Sequence, residues 1–331
     1  MKKIFIKIIS LLCVALMILP MLFACQNSSS QQTEAPSNVH TIKFNSNGGT
    51  PISDIEVRHG QKMAEPAAPT RENYIFLYWE HNNRRWLFTT KEITEDMTFS
   101  ALWISANDLF KTVPAENENE IMISGFAAQK SINVLRIPNK INGKTVVGFT
   151  DNAFETIHEQ HAKSIIIPET ATRVGNASFK NISEVHIEIL GSLNQLGVSS
   201  FEQCMHLEKV SLATGLTTIP YRCFFEAKEL ITVDIPEGVK IIEENAFSSC
   251  VKLQTVVLPS TLETIEDGAF VDASNIAVVF FKGSEEQFDA INISANNNEL
   301  LSAEVYFYSE EQPTSEGKFW HYDKSNTPIL W

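Results

Sequence analysis

Thiols, imidazoles and carboxylates are the side chains through which this sequence could do chemistry, and their spacing decides how far that goes. Cysteine stands at 13, 25, 204, 223 and 250. Zinc and dithiol sites need thiolates paired at C-x-x-C or related spacing, and no two of these cysteines are so paired. Cys204, Cys223 and Cys250 therefore read as small buried hydrophobes. The segment His158-Glu159-Gln160-His161 comes nearest to a metal-binding pair. A zinc helix needs its histidines four apart; these are three apart, in what reads as a solvated loop. Glu243, Glu244, Glu266 and Asp267 recur at equivalent places along the chain. They could be oxygen ligands for calcium, but among carboxylates dispersed through the whole sequence they read as a solvated edge. No G-x-S-x-G elbow, phosphate loop, dinucleotide glycine fingerprint or H-E-x-x-H occurs. The expectation is a non-enzyme with no metal and no cofactor.

Cys25 is the exception, because its chemistry is set by what precedes it. Lys2, Lys3 and Lys7 form a cationic start, and Ile8 to Phe23 form a 16-residue apolar stretch ending at Leu22-Phe23-Ala24-Cys25. A membrane span needs roughly 20 apolar residues, and Pro20 interrupts this shorter run. The segment resembles a bacterial lipoprotein signal with its lipobox, although Phe23 stands where a small residue is usual. That resemblance implies cleavage after residue 24, lipidation of Cys25, and a mature protein held on the extracellular face of the cell membrane. Two acyl chains on one cysteine suffice for stable anchoring, where one would not. Residues 25–38 are rich in Ser, Gln, Asn, Thr and Pro and read as a flexible tether.

The chain has 331 residues, 44% hydrophobic and 20% charged, enough for two ordinary cores. Its formal charge of −14 becomes −17 once the three N-terminal lysines are removed. Such a surface repels phosphate backbones, which argues against a nucleic-acid partner.

Residues 39–104 carry short alternating runs separated by turn residues, as a small β module would. Thr41-Ile42-Lys43-Phe44 alternates and then meets Asn47-Gly48-Gly49; Tyr74, Phe76, Tyr78, Trp79, Trp86 and Phe88 supply an aromatic core; Met97-Thr98-Phe99-Ser100-Ala101-Leu102-Trp103 closes it. Through the Asn-Gly-Gly turn, the Pro69-Thr70-Arg71-x-x-Tyr74-x-Phe76 segment and the closing Met-Thr-Phe-x-Ala-x-Trp, this stretch resembles the Listeria-Bacteroides repeat. It departs at Asn73 and Tyr78, where that family usually has glycine. The resemblance implies a β-grasp-like spacer or accessory binding unit without catalysis.

The rest of the chain is periodic. A phenylalanine preceded by a small residue recurs at 154, 179, 201, 224, 247 and 270, at spacings of 25, 22, 23, 23 and 23. Five residues before each stands an apolar residue: Phe149, Val174, Leu196, Ile219, Ile242 and Ile265. Alternating segments such as Leu230-x-x-Val233-x-Ile235 and Leu253-x-x-Val256-x-Leu258 read as strands. A period near 23 fits one short strand and a cramped helical turn per coil, stacked into a solenoid. The stretch Ile235-Pro236-Glu237-Gly238-Val239-Lys240-Ile241-Ile242-Glu243-Glu244-Asn245-Ala246-Phe247-Ser248-Ser249-Cys250-Val251-Lys252-Leu253 resembles the BspA-like leucine-rich repeat of bacterial surface proteins. The fold expected is mainly β: a β-grasp-like module, then a leucine-rich-repeat solenoid of parallel strands and short helical turns over 110–283. Residues 284–331 read as a C-terminal cap, with a short helix over 285–291, a strand over 303–308, and tryptophans covering the last coil.

If Val233, Ile235, Val256 and Leu258 point inward, the residues between them point out. One outward ladder is then Arg136, Ile166, Glu188, Ser211, Asp234, Val257 and Phe280; beside it run Val134, Ser164, His186, Lys209, Thr232, Thr255 and Val278. Together they form a candidate binding face for a host or bacterial protein or glycan. The two resemblances imply adhesion or ligand capture. A non-catalytic spacer or envelope-organising lipoprotein is the alternative reading, and a glycan hydrolase would need an acid pair in a pocket that the sequence does not mark.

Overall fold

The computed structural model describes residues 38–128, 132–155, 162–183, 185–314, 316–325 and 327–331. The signal-like segment, Cys25, the tether up to residue 37 and His158–His161 lie outside the described residues. Residues Val39–Trp331 form one compact unit.

The first module is a five-stranded sheet in the order Ile55–Arg58, Val39–Asn45, Met97–Ser105, Tyr74–His81, Arg84–Arg85. Val39–Asn45 and Met97–Ser105 run parallel, and the remaining pairs antiparallel. Of the expected aromatics Trp79 and Phe99 are fully enclosed and Phe76 and Phe88 nearly so, whereas Tyr78 and Trp86 are half-buried and Tyr74, expected in the core, is exposed. Asn73 takes φ 64°, so asparagine fills the left-handed position where the related repeats place glycine. At Tyr78 the pairing of Tyr74–His81 with Met97–Ser105 shifts register, and a bulge accommodates the second departure.

From Phe110 onward the chain is a β-solenoid of about seven turns. Each regular coil contributes two short strands rather than one. The segments that alternate in the sequence form parallel ladders, first Ile132–Arg136, Ala162–Ile167 and His186–Ile189, then Thr232–Asp234, Thr255–Leu258, Val278–Phe281 and Glu304–Tyr308. The apolar residues five before each phenylalanine form a second set: Lys144–Phe149, Arg173–Val174 and Gln195–Leu196, then Thr218–Ile219, Ile241–Ile242, Thr264–Ile265 and Asn292–Ile293.

Between the two ladders stands the phenylalanine column. Rings 154, 179, 201, 224, 247 and 270 are fully buried and stack on one another at centroid separations of 5.0, 5.3, 5.7, 5.3 and 5.2 Å, with planes within 12° of parallel. The small residue before each ring is small for a reason visible in the backbone. The N–H of Phe154, Phe179, Phe201, Phe224 and Phe247 donates to the carbonyl of Ser178, Ser200, Cys223, Ala246 and Ala269 on the next coil, at 2.8 to 2.9 Å. Coils bonded this closely leave no room for a larger side chain there. The turn carrying each ring needs a residue of positive φ just before the small one: Asn152, Ala177, Ser199, Arg222, Asn245 and Gly268, at φ 50° to 58°. That left-handed residue holds the chain to a single i to i+3 turn and stops it propagating as a helix. The three cysteines are fully buried in this layer. Cys204 and Cys250 donate to the carbonyls of Phe179 and Phe224, and Cys223 contacts Ser200 Oγ at 3.2 Å. Burial pushes the Cys223 and Cys250 thiols up to about 12, so they are not nucleophiles.

The solenoid is closed at both ends. Ile75, Ala106 and Leu109 belong to the same buried cluster as the first coils, with Leu77 and Ile104 packed against it, and strand Tyr74–His81 lies against Ile132–Arg136. Asn142 N–H donates to Asn73 Oδ1 at 2.8 Å, and the Asn107 and Asn142 amides pair at 2.6 and 2.9 Å. At the other end the expected helix is Glu285–Asp289, with a Ser284 and Gln287 capping box, and the expected strand is Glu304–Tyr308. The tail adds Phe319–Tyr322 and Pro328–Leu330 to the sheet edge.

Candidate binding face

The strand register reproduces both outward ladders where strands exist. Val134, Ser164 and His186 align, as do Arg136, Ile166 and Glu188; Thr232, Thr255 and Val278 align, as do Asp234, Val257 and Phe280. The intervening residues Ile165, Val233, Val256 and Val279 are buried in the core. Period-2 alternation placed these side chains on the correct face of the sheet.

Exposure divides that face in two. Arg136, His186, Glu188 and Thr232 are exposed; His186 sits 3.7 Å from Glu208. Lys209 and Ser211 are exposed too, but the segment from Leu207 to Leu212 makes only isolated bridges, Ile187 to Leu207 and Leu193 to Leu212. The expected unbroken ladder is therefore interrupted here, beside the one coil of 22 residues. Ile166 is buried, flanked in register by Arg136 and Glu188, and offers little contact area.

The C-terminal part of the face is roofed, which corrects the expectation for Val257, Phe280 and Asp234. Trp320 is fully buried over Val257 and Phe280, its ring centroid 5.0 Å from that of Phe280, and its indole N–H donates to the Phe281 carbonyl at 2.9 Å. Asp234 accepts from Lys282 Nζ at 2.7 Å and from the Tyr322 hydroxyl at 2.8 Å. Burial and the Asp234 carboxylate push the Tyr322 hydroxyl far above its usual range, so it stays a donor. Thr255 is half-buried at the margin of this roof. The tail covers the outward side of the last strands as well as the end of the stack, an arrangement that no local pattern marks.

At its other end the face opens into a cleft of about 890 Å³ between the first module and the first coils. Arg71, Tyr74 and Trp103 line it from the module; Arg136, Lys140 and Leu190 line it from the solenoid. Sequence reasoning placed only Arg136 of these on a binding face, because the cleft joins residues that stand 33 to 119 positions apart in the chain. The Arg71 guanidinium lies 3.8 Å over the Tyr74 ring, and Trp103 is fixed by its N–H to the Ser46 carbonyl at 3.0 Å.

The acidic edge is structural. Glu243 accepts from the Tyr221 N–H at 2.7 Å and Glu266 from the Glu244 N–H at 3.1 Å, each reaching back one coil. In the earlier coils the same backbone position is served from the other side, Asp151 accepting from Asn176 N–H at 2.7 Å and Asn176 from Val198 N–H at 2.8 Å. Those coils carry Gly175 and Gly197 where the later ones carry glutamate, and a Cβ there would meet neighbouring backbone at 2.6 and 2.3 Å. Among the described residues no group of three His, Cys, Asp or Glu could hold a metal ion.

Comparison with known proteins assigns both parts. Residues 148–277 match the BspA type leucine rich repeat region in six copies. That stretch of the solenoid carries the repeat of that family. Residues 40–102 match the Listeria-Bacteroides repeat domain. Two proteins of Evansella cellulosilytica, named as a membrane protein and a Gly-rich membrane protein, are 38% and 28% identical over 69 and 123 residues. The matched segments are 20% and 36% of this chain but only 10% and 14% of those proteins. Solved structures with a related fold include a leucine rich cell surface protein from Faecalibacterium prausnitzii, at 21% identity and TM-score 0.49 over 67% of this chain and 59% of that one. Another is a leucine-rich repeat protein from Eubacterium ventriosum, at 22% and 0.42 over 65% and 54%. Among the described residues no helix is long and apolar enough to cross a membrane.

Proposed function

We propose that this BspA-type protein is a lipid-anchored, non-catalytic binding or adhesion protein on the outer face of a bacterial membrane. It would capture a protein or glycan on the N-terminal half of its solenoid sheet. One observation carries the reading: the N-terminal sheet is open, with Arg136, His186 and Glu188 exposed and Thr232 exposed on the first strand of the next sheet, while the later strands of that next sheet are covered by the chain's own tail. Each parallel sheet offers its outward side chains in register, and function of this kind lies in the surface rather than the fold. The segment before Cys25 supports the anchoring.

Two measurements test it. Changing Cys25→Ala should move the protein from the membrane fraction to the soluble fraction and abolish its labelling by palmitate; retention of both would remove the lipid anchor. Glu188→Arg with Thr232→Arg places like charge and bulk on the open face without touching the core. Binding of the purified protein to host-surface extracts or purified wall polymer should then fall at least tenfold at unchanged melting temperature. Unchanged capture would move the site off this face.

A further inference from the structure

Several cations on this chain pair with acids. Arg173 reaches Glu116, Arg222 and Lys180 reach Glu202, Lys240 reaches Glu263, and Lys282 reaches Asp234. Arg71, Arg136 and Lys140 do not: among the described residues none of the three has a carboxylate within 4.0 Å or makes a side-chain hydrogen bond. All three line the cleft between module and solenoid, where the acids are Glu72 and Glu169. On a molecule of net charge −14, this is a local cationic excess around a concave site.

The walls between those charges are apolar and stiff. Pro69 and Ala68 come from the module, Pro138, Pro168 and Leu190 from the solenoid, and Leu190 is 48% exposed. The Arg71 guanidinium carbon lies 3.8 Å from the centre of the Tyr74 ring, which holds the group over the ring. An arginine so stacked is pre-organised for a carboxylate at little entropic cost. A cleft of about 890 Å³ lies within the range of roughly 300–1,000 Å³ typical of ligand sites.

We propose that this cleft binds a short acidic peptide segment, an apolar centre flanked by carboxylates, with Arg71, Arg136 and Lys140 taking the acids. The proposal rests on the surface-binding reading above and gives it a ligand chemistry. A peptide fits better than an acidic glycan because sugar rings demand several side-chain amides and carboxylates around their hydroxyls, and beside Glu72 and Glu169 this cleft supplies a single amide, Asn139. Proline and leucine walls instead suit apolar side chains.

The test uses the full chain in detergent micelles and an array of hexapeptides with a Leu-Pro-Leu centre carrying zero to three Asp or Glu residues. Binding should rise at least tenfold from no acid to three and fall with added salt. The Arg71→Gln, Arg136→Gln double variant should lose that acid dependence. Lys140→Glu, at an exposed position outside the core, should do so too, which protects the test if the arginine changes disturb folding. Binding independent of acid count would overturn the proposal, as would acid dependence that survives Lys140→Glu. Binding of oligogalacturonate that Lys140→Glu abolishes, with no peptide bound, would overturn it in favour of a glycan. If peptides fail while Glu188→Arg with Thr232→Arg still abolishes capture of extracts, the cleft assignment falls and the surface-binding reading stands.

Discussion

Glu202 is 5% exposed and faces two cations, Arg222 at 2.9 Å and Lys180 at 3.3 Å. Burial alone would raise its pKa, but the polar groups around it, Ser199, the donating Arg222 and Lys180, outweigh burial and hold it below the usual carboxylate range. A depressed folded pKa contributes stability that is present above the unfolded value and is lost as pH falls through the folded one. Glu202→Gln should therefore cost about 2 kcal/mol near neutrality. The gap from the parent protein should close below about pH 4, read by urea melts across pH. Phe247→Ala, in the middle of the column, should cost about 3–5 kcal/mol. At this scale the sequence was half legible. Ring positions follow from a fixed period, because every coil must fill the same space. Glu243 and Glu266 read as solvent-facing because nothing local shows that a neighbouring coil leaves a backbone N–H within their reach.

Coils obey the repeat more strictly than caps do. The alternating strands and their outward residues were legible because period 2 and one buried face fix the register. The second strand of each coil, two residues long in Ile241–Ile242 and Thr264–Ile265, was not. So short a strand has no periodicity of its own and exists only because adjacent coils pair. The tail defeated local reasoning for a related reason. Trp320 was expected over the last coil, but its fit to Val257 and Phe280 depends on how the chain returns across the sheet. Deleting residues 313–331 should expose Val257 and Phe280, lower the melting temperature and raise binding of a hydrophobic dye. Trp320→Ala alone should cost about 3–5 kcal/mol. A truncated chain that melts normally and binds no dye would show the tail to be dispensable.

For the whole molecule, the decisive feature is that the Listeria-Bacteroides repeat shares a core with the first coils. A solenoid's terminal coils lack a neighbour on one side and need a cap, and here Ile75, Ala106 and Leu109 fill that place. Removing residues 39–104 should therefore cost hydrogen-exchange protection in Ile121–Phe126 and Ile132–Arg136, while the coils around Phe247 keep theirs. Equal protection throughout would make the module a spacer. The sequence separated the two parts by composition and family pattern, but their joining through Asn73, Asn107 and Asn142 is a matter of three-dimensional fit.

The sealed sulfurs give this architecture a built-in record of how it comes apart. Cys204, Cys223 and Cys250 lie beside three successive rings of the column, each shut away while its coil is closed. A maleimide added under mild destabilisation would mark each coil as it opens. The order in which the three are marked would reveal whether the stack unzips from the module, from the tail, or all at once.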